Sequence, residues 1–205
     1  MYVPSIHKPQ DQIDVYEYIR SNGFATLIGE KDGRQLATHI PMFLDQSEEG
    51  DYHLLSHIAV ANEQKVCFDG KQELLAIFME QHAYISSSWY DHVNVPTWNY
   101  VAVHAYGSAI IMKGEELVAS MQKLVHQYED GRSGRFQMSD MPENMLQAHL
   151  NGVVGFSMKI ERIESSYKLS QNRNDRDYKN VIDQLEKNDD SGDRAIAKQM
   201  KKLRS

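Results

Sequence analysis

Residues 24–44 read FATLIGEKDGRQLATHIPMFL and contain a clear turn signal, Asp32-Gly33. Strand-forming residues lie on both sides of Asp32-Gly33, over 24–29 and 35–44. An Asp-Gly pair between two such segments is a strong hairpin signal, because both central residues of a type I′ turn need positive φ. We therefore predict two antiparallel strands joined by a tight turn.

The segments outside this hairpin extend a mainly β pattern. Further strands are predicted over 52–56, 74–79, 100–112 and 153–163, with 83–86 either continuing its predecessor or forming another strand. Apolar residues at helical spacing predict helices over 10–22, 114–129, 142–150, 175–187 and 193–203, whereas 58–65 is too short to assign. Strands linked by hairpins and short loops, with helices between them, predict a mainly β, α+β fold: an antiparallel β-barrel with flanking helices.

Several classes of protein are excluded by the sequence. The glycines form neither G-x-G-x-x-G nor a Walker loop, which argues against the common nucleotide-binding folds. No apolar run approaches the ~20 residues that cross a bilayer. The N-terminal segment lacks the basic and apolar regions of a secretion signal, so we expect a cytoplasmic protein. The lone cysteine, Cys67, excludes an intrachain disulfide and a Cys-based zinc site.

Charge is distributed unevenly along the chain. The net charge is -7, but residues 168–205 hold ten basic and seven acidic side chains, so the remainder is strongly acidic. An acidic protein repels polyphosphate, which disfavours direct nucleic-acid binding. We predict two parts, a body over 1–170 and a helical tail over 171–205.

Two segments near strand ends offer polar groups beside small or cyclic residues. In Ala37–Pro41, the proline belongs at a strand edge or bulge, where free backbone groups suit the edge of a planar heterocycle. The alternative is a blunted edge strand with a surface His39. In Ser56–Asn62, small residues allow a ligand close to the backbone, whereas the alternative is that Ser56 caps a helix.

Both tryptophans lie within ten residues, in Trp89-Tyr90 and in Pro96–Tyr100. Aromatic rings beside amide and hydroxyl groups suit a stacked planar ligand, and they equally suit a homodimer interface. A role in the core is less natural, because indole N–H and phenol O–H groups require hydrogen-bond partners.

Metal and nucleophile patterns are missing. The nine histidines include no His-x-x-x-His pair and no HExxH motif, so we predict no dedicated metal site. No Ser/His/Asp or Cys/His arrangement can be recognised, and catalytic residues are left unassigned.

Six strings of residues together resemble one family. They are Met1-Tyr2-x-Pro4, Ala37–Pro41, Ser56-His57-x-Ala59-x-Ala61-Asn62, the region from His82 to Gly107 with its Pro-Thr-Trp-Asn-Tyr motif, Gly152-x-Val154-Gly155-Phe156, and Lys168–Arg173. The chain resembles the PaiB-type proteins, the FMN-binding negative transcriptional regulators, over residues 1 to about 175. This resemblance implies the FMN-binding split-barrel fold, which flavin reductases share.

The resemblance also implies a homodimer that binds FMN between subunits. It places flavin contacts on a first group of residues, Thr38, His39, Ile40 and Pro41. A second group comprises Ser56, His57, Ala59 and Asn62. A third group would close the site from the partner subunit: Trp98, Asn99, Tyr100, Lys168 and Gln171.

The chain departs from the family where a phosphate would bind. The family usually has Arg at the position of Val60, and Pro-Gln-Trp at Glu63-Gln64-Lys65. Because a phosphate needs an arginine or a cluster of N–H donors, Val60 beside Glu63 is expected to weaken FMN binding. Replacement cations would be Lys65, Lys168 or Arg173.

Two functions are compatible with this resemblance. The first is a flavin-binding oxidoreductase, an NAD(P)H-dependent flavin reductase in which the cofactor carries the chemistry. The second is a dimeric transcriptional regulator that responds to flavin or another ligand. The net charge and the lack of a recognisable helix-turn-helix disfavour direct operator contact by this regulator.

Overall fold

The computed structural model of the chain describes residues 1–9 and 11–204. Its strands are β1 (Phe24–Lys31), β2 (Arg34–Pro41), β3 (Phe43–Gln46), β4 (Tyr52–Ala59), β5 (Leu74–Phe78), β6 (His82–Ile85), β7 (Thr97–Met112) and β8 (Val153–Lys168). Its helices are α1 (Gln12–Ser21), α2 (Gly114–Glu129), α3 (Glu143–Asn151), α4 (Asp175–Lys187) and α5 (Ser191–Leu203), with short 3₁₀ helices at Ser5–His7, Glu63–Cys67, Ser87–Trp89 and Met138–Asp140. The predicted helix start at residue 10 and the last residue of the predicted tail, 205, lie outside the described residues.

The strands form one sheet in the order β2-β1-β5-β7-β8-β4-β3, with β6 paired to β7. The pairings of β1 with β2 and β5, of β4 with β3 and β8, and of β6 with β7 are all antiparallel. This confirms the mainly β, antiparallel fold with flanking helices. The strand order begins at β2 and ends at β3, so the hydrogen-bonded ladder of the described residues is not closed into a complete barrel.

The predicted hairpin is confirmed, and its second strand is shorter than expected. Asp32 and Gly33 have φ values of 53° and 75°, as the turn requires. The register of β1 and β2 runs to the pair of Phe24 and Pro41. Met42 follows β2, and its N–H still donates to Gly23 O at 2.7 Å, while β3 begins at Phe43. The predicted strand over 35–44 is therefore two strands, β2 and β3.

Contacts within the chain define two compact units, and each is described by itself. The first unit comprises Met1–Tyr18, Phe78–His104 and Glu164–Ser205, and the second unit comprises Ile19–Ile77 and Ala105–Ile163. Helices α4 and α5 thus belong to the first unit, whereas α2 and α3 belong to the second. A boundary at residue 170 stays a prediction.

The core of the second unit lies beneath the apolar faces of its strands. Leu27, Leu54 and Leu74 are completely buried, and Phe68 stacks on Phe156 with ring centroids 4.2 Å apart. Burying side chains of this size stabilises the fold by about 1.5–3 kcal/mol each. This packing fixes the strands whose ends carry the first two groups of predicted site residues.

The first unit has its own core, to which α4 and α5 contribute. Val181 and Ile196 are completely buried, and Tyr178 Oη donates to Met200 O at 2.8 Å. Burial raises the pKa of Tyr178 to about 12. The Arg204 guanidinium lies 3.7 Å from the centre of the Tyr178 ring. The two helices are thus packed parts of their unit.

No helix in the described ranges combines the length and the apolar character needed to span a membrane.

Candidate functional site

Three side chains of the second unit converge where β4 ends beside β2. Thr38 Oγ1 donates to Gln64 Oε1 at 2.5 Å, and Asn62 Nδ2 donates to Thr38 Oγ1 at 3.0 Å. We call Thr38, Asn62 and Gln64 the Thr38 cluster. The structure therefore brings together one residue of the first predicted group and one of the second, through a glutamine that was not assigned to the site.

The position of Gln64 follows from local structure. Asn62 caps the 3₁₀ helix Glu63–Cys67, and its Oδ1 accepts from the Gln64 N–H at 2.9 Å. The Gln64 side chain is buried, and its Nε2 donates to Leu27 O at 3.0 Å and to Leu36 O at 3.4 Å. The buried Gln64 amide thus finds its partners on the β1–β2 hairpin, and these bonds fasten the helix to that hairpin.

Ser56 and Pro41 are joined directly. Ser56 is buried inside β4, and its Oγ donates to Pro41 O at 2.6 Å. The alternative that Ser56 caps a helix is therefore wrong, because Asn62 has that role. The Ser56 bond holds the end of β2 against β4 without a ladder between them.

The remaining residues of the first two groups differ in exposure. His39 is exposed, and its Nδ1 lies 2.9 Å from Thr26 Oγ1, whereas Ile40 is buried. Ala59 is exposed, and His57 is half-buried. The exposed face of this region thus carries an imidazole and a small apolar residue, and their contact with a ligand stays a prediction.

The imidazole of His57 predicts a dependence of stability on pH. Burial lowers the pKa of His57 below its ordinary value of 6.5, so the folded state binds a proton less readily than the unfolded state. Its contribution to stability is complete above pH 6.5 and is lost as the pH falls through that value towards the folded pKa. We expect His57→Gln to reduce the loss of unfolding free energy between pH 7.5 and 5.5 by up to about 1 kcal/mol.

Urea denaturation of both proteins at the two pH values measures this difference. His7 and His104, whose pKa values are also lowered by burial, are unchanged in the variant and keep their share of the pH dependence. Equal pH dependence in the two proteins would contradict the assignment to His57.

Charged side chains beside the Thr38 cluster are arranged in two sets. Glu63 lies 3.3 Å from Lys31 Nζ and also pairs with Arg34. Lys65 Nζ donates to Val60 O at 2.6 Å. The carboxylate that was expected to weaken phosphate binding is therefore paired with two cations of the β1–β2 hairpin.

The third predicted group lies in the first unit. Asn99 is completely buried, and its Nδ2 lies 3.0 Å from Ser170 Oγ and 3.5 Å from Met200 Sδ. Lys168 Nζ donates to Thr97 Oγ1 at 2.6 Å, and burial lowers the pKa of Lys168. These contacts give Asn99 a packing role within its unit, and its contact with flavin stays a prediction.

Gln171 also bonds within the chain. Its Oε1 accepts from Leu169 N at 2.8 Å, and its Nε2 donates to Tyr167 O. The side chain thus stabilises the turn after β8, where Ser170 has a φ of 60°. A left-handed conformation is uncommon for serine, so these bonds explain how the turn is held.

Trp98 belongs to an aromatic face on β6 and β7. Trp98 and Tyr84 are register partners whose ring centroids are 5.7 Å apart, and His82 lies at the same distance from Trp98. Trp98 is 52% exposed and Tyr84 47% exposed, whereas Tyr100 is less exposed than either. We call His82, Tyr84 and Trp98 the aromatic face.

Asp91, His92 and Asp177 have potential metal-ligating atoms within 4.8 Å of one another. His92 Nδ1 lies 3.0 Å from Asp91 and 3.3 Å from Asp177, while its Nε2 lies 3.0 Å from Asn94 Nδ2. Because Asn94 Oδ1 accepts from Val95 N, its amide nitrogen is the donor to Nε2, which places the ring proton on Nδ1. In this tautomer Nδ1–H donates to the carboxylates, and Nδ1 has no lone pair for a metal ion bound between them.

Comparison with known proteins gives a family and a near relative. A protein-family model described as "Putative FMN-binding domain" matches residues 1–162. The chain is 37% identical over 203 residues to the Bacillus subtilis protein named "Protease synthase and sporulation protein PAI 2", covering 99% of this chain and 96% of that protein. The predicted cofactor, FMN, is the one that the family description names.

Solved structures show the same fold at low sequence identity. The FAD and heme binding protein from Mycobacterium smegmatis superposes with a TM-score of 0.58 at 11% identity, covering 78% of this chain and 72% of that one. The flavocytochrome Anf3 from Azotobacter vinelandii gives a TM-score of 0.57 at 16% identity, covering 83% and 74%. These likenesses confirm the predicted fold class.

Proposed function

This chain belongs to the family of FMN-binding domains, as its resemblance to PaiB-type proteins predicted, and we propose that it binds FMN along β2 beside the Thr38 cluster. The observation that carries this proposal is the junction of Thr38, Asn62 and Gln64. The Thr38 hydroxyl and the Asn62 amide meet where β4 ends, beside β2, which is the first strand in the sheet order.

The groups at this junction fit the flavin ring. Asn62 Nδ2 uses one hydrogen on Thr38 and retains a second. The Thr38 oxygen accepts one bond and retains acceptor capacity. Neutral donors and acceptors beside the edge of a strand suit a planar heterocycle with carbonyl oxygens and ring nitrogens.

The chemistry would belong to the cofactor. Flavins transfer hydrides and electrons, while the protein supplies binding, orientation and electrostatics. We propose that Thr38 and Asn62 orient the ring and that the half-buried His57, held neutral at pH 7 by its lowered pKa, adds no positive charge there. The reaction that we favour is an NAD(P)H-dependent flavin reduction.

Flavin binding is tested with the visible spectrum of the purified protein and with quenching of FMN fluorescence on titration. Thr38→Val removes the hydroxyl between Asn62 and Gln64, and we expect it to weaken FMN binding about tenfold, since a hydrogen bond contributes about 1 kcal/mol or more. Thr38→Ser keeps the hydroxyl and is the matched control. A colourless wild-type protein that does not quench FMN would refute the proposal.

A regulatory role is the second candidate, because the relative in Bacillus subtilis is named for protease synthesis and sporulation. Steady NAD(P)H oxidation with FMN supplied supports the reductase. A salt-sensitive gel shift on a specific promoter, without NAD(P)H oxidation, supports the regulator instead.

We also propose that the protein is a homodimer. The aromatic face supports this, since exposed tryptophan and tyrosine side chains are enriched at protein interfaces. Light scattering at micromolar concentration should give twice the mass of the chain, 23.6 kDa. A mass of one chain at all concentrations would contradict a dimer.

A further inference from the structure

The cations of the second unit near the Thr38 cluster differ in what neutralises them. Lys31 and Arg34 both pair with Glu63, so their charges are largely compensated. Lys65 instead donates to a neutral group, Val60 O, at 2.6 Å. Within 1–9 and 11–204, no carboxylate lies within ion-pairing distance of the Lys65 ammonium.

The bond to Val60 fixes where this charge lies. Val60 follows β4 directly, is 45% exposed and is two residues from Asn62. An ammonium has three N–H donors, of which the carbonyl takes one. Two donors and a full positive charge are therefore available at an exposed corner beside the Thr38 cluster, flanked by the exposed small residues Ala59 and Ala61.

Glu63 would be the obvious competitor for this ammonium, since it lies two residues away. The β1–β2 hairpin removes it, because Arg34 and Lys31 both bind its carboxylate. The corner thus has a net attraction for an anion. Ammonium–phosphate hydrogen bonds are charge-assisted and about twice as strong as neutral ones.

We propose that Lys65 binds the phosphate of the flavin and makes this site select FMN over riboflavin. The inference rests on the proposed flavin site. It assigns to Lys65 the role that the sequence left open among three cations. The other two, Lys168 and Arg173, belong to the first unit, whereas Lys65 belongs to the unit of the Thr38 cluster. Burial also lowers the pKa of Lys168, and Arg173 lies over the Tyr90 ring with 4.5 Å between the guanidinium carbon and the ring centre.

The test compares the affinities of FMN and riboflavin, which differ only in the phosphate, by fluorescence quenching at low ionic strength. Lys65→Met keeps much of the length and removes the charge. We expect it to weaken FMN binding about 10- to 100-fold, the range for a lost hydrogen bond between charged groups, and to change riboflavin binding less than about twofold. Lys65→Arg keeps the positive charge and should retain most of the preference for FMN over riboflavin.

Lys71→Met is the matched control, because Lys71 is an exposed lysine of the same unit that was not assigned to the site. If both flavins bind and the FMN-to-riboflavin ratio is unchanged in Lys65→Met, the role of Lys65 is refuted while the flavin site stands. A parallel loss of both flavins also refutes it, since that outcome indicates a structural role. If neither flavin binds the wild type, the flavin site itself is refuted, and the role of Lys65 with it.

Discussion

Gly107→Ala is expected to destabilise the protein by about 3 kcal/mol, at the upper end of what overpacking in a buried position usually costs. Gly107 is buried in β7, and a Cβ added there would lie 1.8 Å from Lys159 O and 2.9 Å from Lys159 C. These are backbone atoms of β8. They cannot rotate away as a side chain can, so the strand itself would have to shift.

Gly155→Ala provides the matched control in β8. A Cβ there would lie 2.3 Å from Leu117 Cδ1, which is the far end of a flexible side chain. Leu117 can change rotamer, so we expect a smaller cost of about 1 kcal/mol. Chemical denaturation gives the unfolding free energies of both variants. Equal destabilisation of the two variants would show that the close approach of the β8 backbone to Gly107 does not determine the cost of the added Cβ.

Gln64→Leu should both destabilise the protein and weaken flavin binding. Leucine fills the buried space but leaves Leu27 O and Leu36 O without their side-chain donor and Thr38 without its acceptor. The two carbonyls keep their register partners in the β1–β2 ladder, so the loss is that of three hydrogen bonds at about 1 kcal/mol each, about 3 kcal/mol in all. Loss of the Thr38 orientation should weaken FMN binding by at least about tenfold.

The matched control is Gln72→Leu. Gln72 also bonds to the backbone of β1, with Nε2 donating to Glu30 O at 2.8 Å, but in an exposed pair. Water can replace that bond, so the change should stay within about 1 kcal/mol. Thermal melting and FMN titration of both variants separate the two effects. A Gln64→Leu protein as stable as Gln72→Leu would show that the buried bonds of Gln64 contribute little.

The hairpin and the helices were predictable because their signals are local. Asp32-Gly33 has its effect within the turn that it forms, and the periodicity of α2 and α4 is visible in a single segment. The limits of the long strands were less predictable. β7 begins at Thr97 and β8 extends to Lys168, because tertiary bonds such as the one between these two side chains hold polar residues in extended backbone.

Part of the arrangement at the candidate site could be predicted, while its contact with flavin stays a prediction. The Thr38–Asn62 contact agrees with the groups inferred from the family, since each residue came from a different group. Gln64 was missed. In the triplet Glu63-Gln64-Lys65, it is the residue that matches the family's Pro-Gln-Trp. Its burial depends on β1 and β2 meeting the helix after β4, which no local pattern reports. Likewise, the pairing of Glu63 with the hairpin depends on side chains about thirty residues away.

The packing of α4 and α5 affects how this protein can be divided for laboratory work. The family model ends at residue 162, whereas Asn99 finds its amide partners at Ser170 and Met200. A fragment that ends at residue 162 would leave the buried Asn99 amide without these partners and would remove the buried side chains of α4 and α5. Expression plasmids, chimeras and split-protein reporters based on this chain should therefore retain both terminal helices, and fusion junctions belong outside them.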